Sequence, residues 1–221
     1  SFIVTMTSLR VLKAKIESEM SQLGAQSFAV KKWPAIYFGG PDGFEKYWRR
    51  KDITLAQGRL VEEKATLAVS VGVEGYFWGG QVSTKYATTP PTIQMLGETP
   101  GSLPARGWVV AEGRGLSEPD VDNARDVCLL GDALAKTVFP FGSRVGERIK
   151  INGINYQVIG VLAPKGGAMG GDQDNFLVVP VTTALNRAGR WGRSLTLLVQ
   201  ARDVASYEDC QEQVRGIMRV A

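Results

Sequence analysis

The 221-residue sequence contains no histidine. This absence excludes the most common general base, the most common zinc ligand and every nucleophile pair that needs histidine, such as Ser-His or Cys-His. Cysteine is scarce too, with two residues, Cys128 and Cys210, far apart in sequence. Cys128 lies in the apolar run VCLL, which is typical of a small buried hydrophobic residue rather than a reactive thiol. The sequence leaves open whether the two cysteines pair.

A nucleotide-binding loop is also missing. No GxxxxGK[ST] motif occurs, and the glycine-rich segment 165–174 (KGGAMGGDQD) lacks the Lys-Ser/Thr pair that would hold phosphates and magnesium. Asp172 and Asp174 offer oxygens of the kind calcium prefers, but two carboxylates are not a full ligand set. We therefore interpret this segment as a polar loop and predict neither a cofactor nor a metal.

No catalytic residues are predicted. The alternative is an acid and base pair formed by Glu112 with Asp120 or Asp122, as in a carboxylate-dependent hydrolase. Nothing in the sequence brings these residues together, and carboxylates at protein surfaces are far more common.

Neither charge sign dominates, and no apolar run is long. The 26 Lys and Arg residues face 22 Asp and Glu residues, and the net charge is +4. The densest basic stretch, Arg49-Arg50-Lys51 beside Trp48, is interpreted as a solvated loop or helix end, with a nucleic-acid site as the alternative. The apolar start, residues 2–6, is shorter than the ~20 residues that cross a bilayer, but it is consistent with the end of a spanning helix.

The clearest structural signal is the segment 145–164 (VGERIKINGINYQVIGVLAP). Two apolar runs flank Asn152-Gly153, a dipeptide that tolerates positive φ and suits a tight turn between antiparallel strands. The segment is therefore predicted to be a β-hairpin that ends near Pro164, because proline cannot donate to a strand ladder.

Periodic apolar residues predict an amphipathic helix over 5–23, a strand over 26–33, a helix over 46–64 with Asp52 as a possible N-cap, and a strand over 66–73. Further along, apolar runs predict strands over 93–97, 108–112, 126–130, 176–179 and 194–201. Short helices are predicted from Ser117, over 132–139 and over 183–188, and a final helix follows a capping box, Ser206-x-x-Asp209.

With these elements placed, the sequence resembles the periplasmic core domain of the MacB and FtsX-like family of ABC-transporter permeases. The matching sequence motifs, in order, are AEGR (111–114), DVCLLG (126–131), VGE (145–147), YQVIGVL (156–162), GGDQD (170–174) and VP (179–180). The front segment ESEMSQLGAQSFAV (17–30) is similar to the family's passage from a stalk into the first strand.

The resemblance implies an α+β fold, with a discontinuous porter-like α/β subdomain and an inserted β-rich subdomain. The expected divisions are a stalk helix at 1–20 after a first transmembrane helix, a porter-like subdomain at 21–78 and 193–221, and the insertion at 79–192.

The resemblance also implies a non-catalytic periplasmic domain of an inner-membrane permease that transmits ATP-driven motion for export. The ATPase would be a separate cytoplasmic domain, and the full permease would be a dimer. Expected partners are a membrane-fusion adaptor with an outer-membrane channel, or a lipoprotein or other cargo, and not nucleic acid. A lipoprotein-release or cell-division permease is the alternative within the family.

Overall fold

The computed structural model describes residues 24–34, 45, 47–165, 174–188 and 194–221. Within these ranges the chain has an α+β fold in which ten strands form one mixed sheet. Among the helices in the same ranges, none combines the length and the apolar character needed to span a bilayer.

The elements alternate along most of the chain. The strands are β1 (Ser27–Val30), β2 (Ala68–Gly80), β3 (Val82–Ser83), β4 (Ile93–Glu98), β5 (Val110–Gly113), β6 (Val127–Leu130), β7 (Arg148–Ile151), β8 (Ile154–Leu162), β9 (Phe176–Pro180) and β10 (Thr196–Ala201). The helices are α1 (Leu55–Lys64), α2 (Ser102–Arg106), α3 (Glu118–Asp122), α4 (Asp132–Val138), α5 (Val181–Ala188) and α6 (Tyr207–Val220).

The sheet has the strand order β1-β10-β2-β4-β9-β6-β8-β7-β3, and β5 pairs with β8 beside this path. Two neighbouring pairs, β4 with β9 and β6 with β8, are parallel, and the other pairs are antiparallel. β1 and β10, which correspond to the predicted strands 26–33 and 194–201, are therefore adjacent.

Successive side chains of a strand point to opposite faces of the sheet, and both faces are covered by a hydrophobic core. On one face, Val73 of β2, Leu197 of β10 and Leu177 of β9 join Val61 of α1 and Val214 of α6 in the larger core. On the other face, a smaller core contains Leu96, Leu103, Leu116, Val127, Leu129, Ile159, Leu162, Phe176 and Val178. Helix α2 packs on this second face.

The predicted hairpin is confirmed. β7 and β8 pair in antiparallel register with Ile151 opposite Ile154, and the turn residues Asn152 and Gly153 have φ of 50° and 83°. Both turn residues thus adopt the positive φ that the Asn-Gly sequence favours. The strands predicted over 93–97, 126–130 and 176–179 and the helices predicted over 132–139 and 183–188 are also present, within one or two residues.

The predicted helix 46–64 is interrupted, because residues 49–54 are not helical, and its Asp52 N-cap is wrong. α1 begins at Leu55, and Thr54 is the N-cap, in a capping box with Gln57. Asp52 instead receives a hydrogen bond from Lys32 Nζ at 2.7 Å. A capping box satisfies two backbone N–H donors at once, which favours Thr54 over Asp52 as the starting point.

The predicted end of strand 66–73 is also wrong, because β2 continues to Gly80. β2 therefore crosses the predicted subdomain boundary between residues 78 and 79, and β4 pairs with it directly. β10 pairs with β1 and with residues 68–74 of β2, which belong to the same predicted subdomain as β10. The division at 21–78, 79–192 and 193–221 stays a prediction.

The capping box predicted at Ser206 is absent, although the final helix forms as α6. Ser206 Oγ makes no cap bond, and Asp203 Oδ1 accepts instead from the Ser206 N–H at 2.7 Å. Cys210 and Val214 lie buried on the inner side of α6. The predicted helix 5–23 and the stalk at 1–20 lie outside the described residues.

Candidate functional site

The most unusual feature of the described residues is a group of charged side chains inside the sheet. Glu74 of β2 and Glu98 of β4 are direct partners in the antiparallel register, and both are fully buried. Arg106, the last residue of α2, is also buried and contacts Glu74. We call Glu74, Glu98 and Arg106 the buried charge cluster. Unpaired charges are rarely buried completely, so the partners of each group need to be identified.

Two glycines allow α2 to approach the sheet closely enough to form the cluster. A Cβ at Gly72 of β2 would lie 2.3 Å from the backbone nitrogen of Ser102, and a Cβ at Gly101 would lie 2.0 Å from the carbonyl oxygen of Val71. Only residues without a side chain fit these two positions. The close approach brings Arg106 over Glu74.

The Arg106 guanidinium binds Glu74 and, at the rim of the cluster, the hydroxyl of Tyr76. Its Nε donates to Glu74 Oε2 at 2.7 Å, and its Nη2 donates to the same oxygen. Nη2 also donates to the Tyr76 hydroxyl at 2.8 Å, and the guanidinium lies 5.6 Å from the centre of the Trp108 ring. The ring of Tyr76 itself is half exposed, so it forms the rim of the cluster on the side that faces solvent.

Within the described part of the chain, three of the four carboxylate oxygens of the cluster lack a donor. Glu74 Oε1 and both oxygens of Glu98 are buried and accept no hydrogen bond from the described residues. The nearby Ser102 hydroxyl donates to the Val73 carbonyl oxygen at 3.2 Å. A buried acceptor without a donor costs about 1 to 3 kcal/mol, and more when it is charged. The cluster therefore contains more carboxylate oxygen than its donors can satisfy.

The electrostatic environment reflects this imbalance. Burial, followed by the charge of Glu74, raises the pKa of the Glu98 carboxyl well above its ordinary value. Burial alone would lower the pKa of Arg106, but Glu74 and Tyr76 outweigh it and raise that pKa. Lys165, whose Nζ donates to the Arg106 carbonyl oxygen at 2.6 Å, has a pKa lowered by burial and by the Arg106 charge.

A second buried carboxylate, Asp120 of α3, has the opposite environment. Arg114 Nη1 donates to its Oδ2 at 2.6 Å, Arg125 Nη1 lies 3.4 Å from its Oδ1, and Ser117 donates to Oδ2 through both its N–H and its hydroxyl. Burial disfavours the charge of Asp120, but these hydrogen bonds outweigh it and lower the pKa of Asp120 to about 2. We call Asp120, Arg114, Arg125 and Ser117 the cap cluster.

The carboxylates considered as an acid and base pair have separate arginine partners. Glu112 accepts from Arg144 at 2.8 Å and Asp122 accepts from Arg59 at 2.5 Å, while Asp120 belongs to the cap cluster. These contacts neutralise the carboxylates one by one. They give no shared arrangement for proton transfer.

The structure also describes the surroundings of the basic stretch at 49–51 and of the two cysteines. Arg49 pairs with Glu45, Arg50 stacks on Tyr47, and Trp48 packs edge to face on Trp33. Cys128 and Cys210 are both buried and unpaired, so the structure answers the question of their pairing. Burial raises the pKa of both thiols.

Of the two carboxylates considered as calcium ligands, Asp172 lies outside the described residues and Asp174 is among them. In the described part of the chain, no group of three or more acidic or cysteine side chains is arranged to hold a metal ion.

The buried charge cluster was missed in the sequence, although one signal was present. Glu74 lies between apolar residues in SVGVEGYF, and Glu98 ends the run IQMLGE. A carboxylate inside a buried strand needs a partner, so each predicts a basic residue nearby. The sequence does not say which one.

Comparison with known proteins gives consistent results. The family described as MacB-like periplasmic core domain matches residues 1–217. The macrolide export ATP-binding/permease protein MacB of Rhodopirellula baltica is 40% identical over 83% of this chain and 26% of its own length. The MacB protein of Chlorobium luteolum is 26% identical over 93% of this chain and 30% of its own length. The chain thus spans less than a third of these relatives.

Solved structures share the fold. The periplasmic region of MacB from Actinobacillus actinomycetemcomitans matches with a TM-score of 0.69 at 18% identity, covering 90% of this chain and 85% of that one. The extracellular domain of the ABC-type transporter YknZ from Gram-positive bacteria matches with a TM-score of 0.59 at 16% identity, covering 74% of this chain and 80% of that one.

Proposed function

The chain belongs to the MacB-like periplasmic core domain family of ABC-transporter permeases, and from this membership we propose that it is an extracytoplasmic domain that transmits ATP-driven motion for export. In this proposal the domain lies in the periplasm as part of an inner-membrane protein. It contacts a membrane-fusion adaptor, completed by an outer-membrane channel, or a cargo molecule. A separate cytoplasmic domain hydrolyses ATP.

The observation that carries the proposal is the pairing of β1 with β10. The two strands are antiparallel over four residue pairs, from Ser27 opposite Gln200 to Val30 opposite Leu197. β10 also pairs with β2, which continues into the second half of the sheet through β4. A displacement of the segment before β1 or of α6 would therefore act on a hydrogen-bonded ladder, and rigid ladders move as units.

The contacts of α6 support the same reading. Gln213 of α6 accepts from the Leu67 N–H at 3.1 Å and donates to Thr66 Oγ1 at 2.9 Å, just before β2. Cys210 and Val214 bury the helix against the larger core. A movement of α6 would thus reach β2 directly as well as through β10.

The test is a cross-link in the intact permease. Cysteines at Arg10 and Val220, joined by a thiol-reactive linker, should stop macrolide export from proteoliposomes while leaving nucleotide binding unchanged, because the two ends can no longer move independently. The native Cys128 and Cys210 are buried and should react slowly.

The matched control joins positions that are already paired. A disulfide between cysteines at Ser27 and Gln200, opposite each other in β1 and β10, should leave export unchanged if the ladder moves as one body. Full export with the Arg10 and Val220 positions quantitatively cross-linked would overturn the mechanical proposal. Export lost with the ladder disulfide alone would contradict rigid coupling.

A further inference from the structure

The buried charge cluster has an imbalance that the proposed function does not explain. It contains two carboxyl groups, Glu74 and Glu98, which face each other across β2 and β4. A single buried guanidinium, that of Arg106, binds one of them through a single oxygen. With both carboxyl groups ionised, the cluster would have a net charge of −1 in a site without solvent exposure. In such a site a carboxyl group binds a proton instead.

The groups that surround Glu98 do not remove this imbalance. The next strand on the β4 side presents Pro180 of β9 opposite Glu98, and the strand on the β2 side presents Thr196 of β10 opposite Glu74. Neither residue titrates. Among the described residues, the other titratable groups near the cluster are Tyr76, bound to Arg106, and Lys165, which donates to the Arg106 carbonyl oxygen.

We propose that Glu98 carries a proton that it donates in a hydrogen bond to Glu74, and that this proton is a pH-sensitive lock that holds β4 and α2 against β2. The Glu98 hydroxyl donates to the Glu74 oxygen that Arg106 leaves free, which gives that acceptor a donor and leaves a neutral unit with Arg106. Loss of the proton places two negative charges directly opposite each other in the ladder, and like charges in that position destabilise strand pairing.

The lock joins the two parts of the sheet. Glu74 lies in the predicted porter-like subdomain, whereas Glu98 and Arg106 lie in the predicted insertion. Release of the proton would therefore loosen the connection through which β2 acts on β4. This consequence for export rests on the proposed function, but the proton itself does not, and it can be measured on the isolated 221-residue chain.

The sign of the pH effect follows from proton linkage. The folded chain holds the Glu98 proton at pH values where the unfolded chain, with an ordinary glutamate pKa of about 4.3, has lost it. The folded state therefore binds more protons in that range. The stability that this group contributes is complete below the unfolded pKa and is lost as the pH rises through the folded pKa.

The experiment compares wild type with Glu98→Gln by urea unfolding from pH 5 to pH 9. The amide keeps the shape of the group and can donate to Glu74, but it cannot ionise. We expect the wild-type midpoint to fall at the alkaline end relative to that of Glu98→Gln, with the two closest at pH 5. Glu74→Gln is the matched control, because it removes the carboxylate that Arg106 binds and should lower the midpoint at every pH.

A direct observation of the proton accompanies the unfolding data. The infrared carbonyl stretch of a protonated carboxyl group should be present in the folded wild type at pH 7 and absent in Glu98→Gln. Its absence in the wild type would overturn the proposal even if the variants fail to fold. Parallel pH profiles of wild type and Glu98→Gln would overturn it as well. If the proton is present but the Arg10 and Val220 cross-link leaves export intact, the proposed function fails and the protonated Glu98 stands.

Discussion

The buried charge cluster and the cap cluster both contain a carboxylate with no exposed surface, but the ratio of carboxyl groups to guanidinium groups is reversed between them. In the first, two carboxyl groups face one guanidinium, that of Arg106. In the second, Asp120 faces two guanidinium groups and two donors of Ser117. The comparison separates the effect of burial from the effect of donors, because burial is common to both sites and the number of donors is not.

The two sites show that burial alone does not set the protonation state. Burial and the Glu74 charge raise the pKa of Glu98 and outweigh the opposing effects of Ser102 and Arg106, whereas the donors around Asp120 lower its pKa to about 2 in spite of burial. Hydrogen bonds to the charged form of a carboxylate favour that form, and a neighbouring carboxylate disfavours it. The two sites should therefore give opposite dependences of stability on pH.

They also differ in how easily water can replace a lost partner. Arg106 is buried, whereas the side chains of Arg114 and Arg125 are 49% and 53% exposed. Ion pairs with a solvated partner contribute little, typically 0 to about 1 kcal/mol, and breaking a buried pair is far more costly. Ion pairs of similar length in the two clusters should therefore contribute different amounts to the free energy of unfolding.

The largest effect is expected for Arg106→Met. The substitution keeps the apolar length of the side chain but leaves Glu74 and Glu98 without their cation, so the free energy of unfolding should fall by about 3 to 5 kcal/mol at pH 7. Urea denaturation measures it. Arg125→Met is the control, since this exposed residue lies 3.4 Å from Asp120 and should cost less than about 1 kcal/mol. Equal losses in the two variants would contradict the comparison.

The parts of this fold that the sequence predicted depend on local signals. Asn152-Gly153 specifies a turn within two residues, and Ser117 with Asp120 lies within one helical turn. Asp120 was considered as a catalytic carboxylate, although its spacing from Ser117 already fitted a capping box. For Asp120, the local sequence therefore predicted a helix cap more directly than it predicted a catalytic role.

The geometry of the buried charge cluster could not be predicted, and the reason is different. Glu74 and Glu98 become neighbours through the register of two strands 24 residues apart, which no local pattern encodes. Arg106 reaches them from α2, a helix absent from the sequence-based prediction. Its N-cap Gly101 offers no side chain, and Pro104 lies inside it. The close approach through Gly72 and Gly101 is likewise a property of the folded pair.

A smaller effect is expected for Asp120→Asn. The amide retains one acceptor for Arg114 but loses the charge-assisted hydrogen bonds, so the free energy of unfolding should fall by about 1 to 3 kcal/mol at pH 7. The folded pKa of Asp120, about 2, lies below its unfolded value, so its contribution is present above about pH 4 and is lost as the pH falls toward 2. The difference between wild type and variant should shrink in that acidic range and stay constant above it.

The control for this prediction is Glu98→Gln measured over the same acidic range. It should differ little from wild type there, because Glu98 is already protonated. A gap between wild type and Asp120→Asn that persists unchanged at pH 2 would show that Asp120 acts through packing rather than through its charge.

The smallest effect is expected for Tyr76→Phe, which tests whether the rim of the buried charge cluster contributes to its stability. The substitution removes the hydroxyl that accepts from Arg106 Nη2 at 2.8 Å, but Nη2 still donates to Glu74, and water can reach this side because Tyr76 is 54% exposed. A hydrogen bond that water can replace contributes about 0.5 to 1 kcal/mol, so the urea midpoint should shift only slightly at pH 7. The alkaline decrease in stability expected from Glu98 should remain, because its cause is the Glu74 carboxylate and not the phenol. If Tyr76→Phe instead costs as much as Arg106→Met, the guanidinium is held mainly by the tyrosine, and the difference between a sealed and a solvated cluster loses its basis.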